Sequence, residues 1–154
     1  MTVVNLELTE EQAHVVSKAL DIYSRLGIGQ LNMISEMVRE EFIPFSNGQF
    51  DFERAKNVEQ AINAAKSLLG FSPGASLGIG NANVDIKAHR AFEIKKVLDK
   101  ALVEHQNPTP SFRGVQYDGL FIRYTKDPEP QCTVSADTSL NLTIPKPAIG
   151  FVNK

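Results

Sequence analysis

The chain has no tryptophan and only one cysteine, Cys132. A single thiol allows no intrachain disulfide, so the fold must rest on apolar burial, and the composition suits a reducing compartment. Cys132 lies in QCTVSA, where a buried structural thiol is expected rather than a nucleophile. Long apolar runs are also missing, and a membrane-crossing helix needs about 20 such residues. The opening MTVVNLELTEEQ has no basic segment followed by an apolar one, so it does not read as a signal peptide. These absences predict a soluble cytoplasmic protein with no membrane partner. Neither charge sign is in excess: 16 basic residues against 18 acidic give a net charge of −2 and a pI near 5.9. The one adjacent basic pair is Lys95-Lys96. A non-specific nucleic-acid binder needs a basic excess or a basic face, so nucleic acid is not an expected partner.

Catalytic signatures are lacking in the same way. His14, His89 and His105 stand far apart, with none of the spacings that metal sites use, so no metal and no cofactor are expected. There is no GxSxG elbow around a serine. The carboxylates Glu10, Glu11, Glu36, Glu40, Glu41 and Asp51 fall on expected helix exteriors or caps, where solvation is the default. The chain reads as a binding protein rather than an enzyme.

What is present is an ordinary globular composition, 42% hydrophobic and 22% charged over 154 residues, which fits one domain. Thr2 to Leu8 alternate around β-branched residues and predict a short strand. Thr9-Glu10-Glu11-Gln12 matches a capping box. Val16, Leu20, Tyr23, Gly27, Leu31, Ile34 and Val38 then form a helical stripe, which predicts either one long helix from about Glu10 to Glu41 or two segments hinged near Gly27 and Gly29, the continuous form with a bend being the favoured reading. Asp51 is a candidate cap for a second helix reaching Leu69, with Gly70 as its stop. Asn83 is the candidate cap of a third helix, with Ile94, Val97, Leu98, Ala101 and His105 on one face and Pro108 and Pro110 beyond its end. The segments VQYDGLFIRYT, QCTVSAD and LNLTIPK are β-rich and separated by turn residues. The expected fold is a single α+β domain over 1–154. About three helices (9–106) would pack on one face of a small antiparallel sheet (112–150).

Two glycine segments carry the candidate site. An interior helix glycine costs about 1 kcal/mol relative to alanine, so Gly27 and Gly29 imply that a helix, strand or ligand approaches the backbone closely. Tyr23, Arg25 and Gln30 surround them. The second segment, Gly78-Ile79-Gly80-Asn81, leads into Lys87 and Arg90. A glycine loop before a helix start can turn amides toward an anion, although neither a phosphate-loop nor a dinucleotide fingerprint is completed. RLGIGQLN and SLGIGNAN echo each other, so Arg25, Gln30, Asn81 and Arg90 could surround one pocket if the two segments meet. A basic and aromatic strand face (Arg113, Tyr117, Arg123, Tyr124, Lys126) reads as an ordinary amphipathic strand before it reads as a single-stranded nucleic-acid surface.

The helix ALDIYSRLGIGQLNMI, together with AHRAFEIKKVLDKAL, resembles a group of small phage and prophage proteins that carry a Tyr-Ser-Arg-x-Gly-x-Gly-Gln helix near the N-terminus. The resemblance covers residues 8–38 most firmly and 84–126 more loosely. It implies a viral setting, the cytoplasm of an infected bacterium, and no particular reaction. In that setting the expectation is an accessory or host-interaction protein, including one that counters bacterial defence by sequestering a nucleotide-like signal. The ligand groups would be Tyr23, Arg25, Gly27, Gly29, Gln30, Gly78, Gly80, Asn81, Lys87 and Arg90, in a pocket shared between subunits of a homo-oligomer. A protein-interaction inhibitor of a host enzyme is the first alternative, and a small phosphoester hydrolase the second.

Overall fold

The computed structural model of the chain describes residues 2–135, and the regular structure among them is helical. Four α-helices follow one another: α1 (Glu10–Gly27), α2 (Asn32–Arg39), α3 (Phe52–Leu68) and α4 (Ile86–Gln106), with a 3-10 turn at Val115–Asp118. They associate as two pairs, α1 on α4 and α2 on α3.

The helix starts follow from local chemistry. At α1 the Thr9 hydroxyl accepts from the Gln12 amide at 3.3 Å, while the Gln12 side chain accepts from the Thr9 amide at 2.9 Å. Asp51 caps α3 through the Arg54 amide. Asp85, not Asn83, caps α4, accepting from the Lys87 amide at 2.7 Å. Asn81 explains the shift. Its side chain accepts from the Asn83 amide and its carbonyl from the Val84 amide, a turn that buries Val84 before the helix begins.

The ends of α1 and α3 share one device. After α1, Gly29 takes a left-handed conformation (φ 87°), its amide donates to the Leu26 carbonyl and the Gln30 amide to that of Arg25. After α3, Gly70 (φ 83°) donates to Ser67 and Phe71 to Lys66 in the same pattern. The favoured continuous helix from Glu10 to Glu41 is therefore not formed, and the alternative of two segments hinged near Gly27 and Gly29 holds, because the left-handed residue at Gly29 turns the backbone out of its axis. The break directs Ile28 inward onto Val84 and Ala88, with Leu77 and Ile79 packed around them.

The expected α+β fold is overturned: among the described residues there is no strand and no sheet. Thr2 to Leu8 form no regular element and pair with no strand among the described residues, and Val3, Val4 and Leu6 face solvent. Strand preference is realised only where cross-strand packing supports it. Val115–Asp118 winds into the 3-10 turn and stops at Gly119 (φ 68°). In the following LFIRYT, the amides that a ladder would use are taken by a side chain. Tyr124 and Thr125 N–H donate to the Glu93 carboxylate of α4 at 2.6 and 2.8 Å. Gln131 to Ser135 are irregular, while Ala136, Asp137 and the LNLTIPK segment lie outside the described residues.

The seam between α1 and α4 is built largely from small residues. Ala13, Ser17 and Ser24 of α1 are buried against α4, which contributes Ala88, Ala91 and Leu102. A methyl group placed on Gly27 would lie 2.5 Å from the Ala88 Cβ, so this crossing has no room for one. The seam is therefore not the stripe of large residues expected from the sequence. Tyr23 is 52% exposed and Ile94 of α4 is also exposed.

Candidate functional site

The two glycine segments meet. The Leu77 amide donates to the Ile28 carbonyl at 2.9 Å, and the Gln30 side-chain amide donates to the Ser76 hydroxyl at 3.3 Å. Arg25 donates to the Gln30 side-chain oxygen at 3.0 Å and to Asp21 at 2.9 Å. The chain of polar contacts continues into the α1–α4 seam. Lys95 lies 3.8 Å from Asp21 and 2.5 Å from Asp99, whose other oxygen accepts from the Ser17 hydroxyl. Ser17, Asp99, Lys95, Asp21, Arg25, Gln30 and Ser76 thus form one polar line from the seam to the glycine junction.

The glycines at the junction are used for packing. Gly27 admits Ala88, Gly29 admits the Phe71 ring, and Gly80 admits Tyr124, while Gly78 stands in open space. Phe71 follows the left-handed glycine of α3 and covers the left-handed glycine of α1, so the two helix ends seal each other. The 78–80 loop is held from α4. Its Ile79 carbonyl lies 2.7 Å from His89 Nε2, and a carbonyl can only accept, so that nitrogen carries the proton. The His89 ring stacks on Tyr124 at 5.3 Å, and Tyr124 meets Phe92 edge-on.

Of the ten sequence-derived ligand residues, the structure joins Arg25 and Gln30 directly and places Gly27 and Gly29 beside them. Tyr23 faces solvent. Arg90 turns away and forms a two-point ion pair with Asp127, at 2.5 and 3.3 Å. That hydrogen bond raises the Arg90 pKa and holds the Asp127 carboxyl below its usual range. Asn81 spends its side chain on its own turn, and Lys87 is exposed beside Asp85, whose carboxylate occupies the start of α4. An anion arriving there would meet a carboxylate first, against the sense of the helix field.

Two cavities lie elsewhere, and none of the ten residues lines either. The larger, an open groove of about 590 Å³, runs between the second half of α4 and residues 118–134, with Lys100, His105, Phe121, Glu129 and Cys132 among its walls. Burial pushes the Cys132 thiol up from its ordinary value, so it is protonated at neutral pH and a poor nucleophile. The smaller, about 40 Å³, sits between the end of α2 and the start of α3. Among the described residues, no cluster of three His, Cys, Asp or Glu side chains is placed to hold a metal ion, and no helix is long and apolar enough to cross a membrane.

Sequence reasoning missed Asp21, Lys95, Asp99 and Glu93. Asp21–Arg25 and Lys95–Asp99 are both four residues apart, a visible helical pairing. Glu93 gives no such signal: it is 1% exposed, and its partners lie some thirty positions on. Burial alone raises its carboxyl, the largest single influence. The Thr125 hydroxyl, the two amides and nearby Arg123 outweigh it and hold the carboxyl below the glutamate range.

Among the described residues the buried hydrophobic ones are Ala13, Ile28, Met33, Val38, Ala55, Val84, Ala88, Ala91 and Leu102, four of them alanines and none aromatic. Several large side chains lie outside: Phe42, Phe50, Phe52, Leu68, Phe112 and Phe121 are all exposed. Comparison of the chain with protein-family models, with curated proteins and with solved structures finds no match.

Proposed function

We propose that the chain is a non-catalytic accessory protein, encoded by a phage, that acts in the cytoplasm of the infected bacterium by binding a host protein and blocking it. One observation carries this reading: Phe42, Phe50, Phe52, Leu68, Phe112 and Phe121 all face outward, while no aromatic side chain among the described residues is fully buried. Covering one such side chain is worth about 1.5–3 kcal/mol. Four together approach the total stability of a small domain, about 5–15 kcal/mol, before the costs of association. A chain that leaves this much apolar surface in water gains most from a protein surface, either a host protein or a second copy of itself. The experiment is recovery of the tagged full-length chain from infected cells, with size-exclusion chromatography and mass determination of the complex. A host protein in stoichiometric amount supports the reading, and a chain that emerges alone at every concentration refutes it.

Sequestration of a nucleotide-like anion is the second reading. The hydrogen bonds that join the two glycine segments at Gln30–Ser76 and Ile28–Leu77 favour it, because they bring Arg25 to the junction. The chain has no tryptophan and three tyrosines, so a co-purified nucleobase would dominate its ultraviolet spectrum. Arg25→Ala separates the two readings. Arg25 is half exposed and its ion pair is of the surface kind, so the variant should melt within about 0.5 kcal/mol of the parent. Loss of nucleobase absorbance in that variant, without loss of stability, would favour sequestration.

A further inference from the structure

Three helices of this chain end on a left-handed residue, and the third is anomalous. After α1 and α3 that residue is glycine, but after α2 it is Glu41, with φ 57° and its amide donating to the Val38 carbonyl. A side chain in this conformation is strained where glycine is not, and such strain gathers at functional positions. The strain has a geometric result. Glu41 lines the small cavity, about 40 Å³, together with Val38, Ile43, Pro44, Phe45 and Phe50. Phe45 and Phe50 face each other across it with ring centroids 6.2 Å apart. Outside it stand Phe42 and Phe52, 71% and 68% exposed.

The size of the cavity limits what can enter. One buried water needs roughly 10–15 Å³ of such space, so 40 Å³ takes the head of a single side chain and excludes a nucleotide. Charge decides which side chain. Residues 36–59 carry six acidic groups against three basic ones, a net charge of −3 in a chain whose total is −2. Two of the three cations are already paired, Arg39 with Glu59 and Arg54 with Asp51, while Glu40, Glu41 and Glu53 have no cationic partner among the described residues. An aromatic wall with a carboxylate at its rim suits a cation, through ring faces and a charge-assisted hydrogen bond.

We infer that the corner between α2 and α3 is the docking surface for a basic, apolar segment of a partner protein, with one arginine or lysine head in the Glu41 cavity and apolar neighbours on Phe42 and Phe52. This rests on the protein-binding reading above and deepens it by naming the surface and the chemistry of the partner.

The test is fluorescence anisotropy of short labelled peptides against the full-length chain. One peptide alternates leucine with arginine, a second replaces arginine by glutamate, and a third replaces leucine by serine. The leucine–arginine peptide should bind about tenfold more tightly than either of the others, and more weakly as salt rises. Glu41→Gln and Phe42→Ser should each weaken it by about tenfold or more, while Phe121→Ser, remote from the corner in sequence, should leave it unchanged. Both test positions are on the surface, and circular dichroism of each variant verifies that it is folded. The inference is overturned by equal binding of all three peptides, by binding insensitive to Glu41→Gln and Phe42→Ser, or by no binding. It is also overturned if sedimentation shows self-association that Phe42→Ser abolishes, since the occupant is then a second copy. Recovery of a host protein equally by parent and Phe42→Ser would leave the protein-binding reading intact and remove this corner from it.

Discussion

Gly27 offers the sharpest test of how the two main helices are joined. A methyl group at this position would sit 2.5 Å from the Ala88 Cβ, whereas carbon atoms rest about 3.5–4.0 Å apart. Gly27→Ala therefore has to separate α1 from α4 by roughly 1 Å at the crossing, and overfilling of this kind costs about 1–3 kcal/mol. Alanine recovers up to about 1 kcal/mol of helix preference, less here because Gly27 is the last residue of α1. The expected net loss is about 1–2 kcal/mol, or a fall in Tm of a few degrees for a chain of this size. Ala88→Gly alone should lose a similar amount, from weaker helix preference and one buried methyl of about 0.8 kcal/mol.

The double variant is the decisive one. With Ala88 reduced to glycine, the new methyl at 27 occupies the space of the one removed, and the clash disappears. The two changes should then fall short of additivity by about 1–3 kcal/mol, leaving the double variant no less stable than either single one. Urea denaturation followed by far-ultraviolet circular dichroism measures this, provided the slope with denaturant stays constant across the set. Additivity to within about 0.5 kcal/mol would refute the reasoning. Gly27 would then not be a contact residue of the α1–α4 seam, and ligand approach would become the better account of it.

Further outcomes follow from the other buried contacts. Because the folded Glu93 carboxyl lies below its ordinary value, the stability it provides is present at neutral pH and is lost as pH falls through that lowered value. The Tyr124 and Thr125 amide resonances should shift in that acid range and cease to do so in Glu93→Gln; titration at or above the ordinary glutamate range would contradict this. Glu41→Gly relieves the left-handed strain after α2 and should stabilise the chain by up to about 1 kcal/mol in thermal melts while weakening the leucine–arginine peptide. A destabilised Glu41→Gly variant would mean that Glu41 stabilises the turn. Ser35 of α2 is buried and its hydroxyl has no hydrogen-bond partner among the described residues, so Ser35→Ala should stabilise the chain by about 1 kcal/mol in thermal melts, and a loss of stability would show that the hydroxyl has a partner.

How much of this could be read in the sequence depends on the range of the interaction that decides each element. Thr9-Glu10-Glu11-Gln12 and Asp51 mark helix starts by contacts within three residues, and both form as expected. Gly70 marks a helix end in the same local way. Gly29 carries the same information as Gly70, but the apolar stripe on either side of it suggested continuity. A left-handed residue outranks a periodic pattern because it changes the direction of the backbone itself. The α1–α4 seam was hidden for a different reason: it is written in Ala13, Ser17, Ser24 and Gly27, and a search for large apolar residues at helical spacing passes over small ones.

The β-rich segment failed because of one distant carboxylate. LFIRYT has strand composition, yet composition states only that a residue fits a pleated surface if one is offered. Here α4 offers Glu93 instead, and the carboxylate takes two backbone donors and a hydroxyl that would otherwise need a neighbouring strand. No local signal in residues 119–126 encodes that competition. The candidate site divides along the same line. Arg25 and Gln30 meet because they are five residues apart across a turn, whereas Arg90 is drawn off by Asp127, thirty-seven positions away. The meeting of RLGIGQLN with the Ser76–Leu77 stretch was visible as an echo, but the echo does not say what the glycines admit. At Gly27, Gly29 and Gly80 they admit parts of the chain itself. A glycine filled from within gives no room to a ligand at that position, so close approach at these three is already explained by the fold.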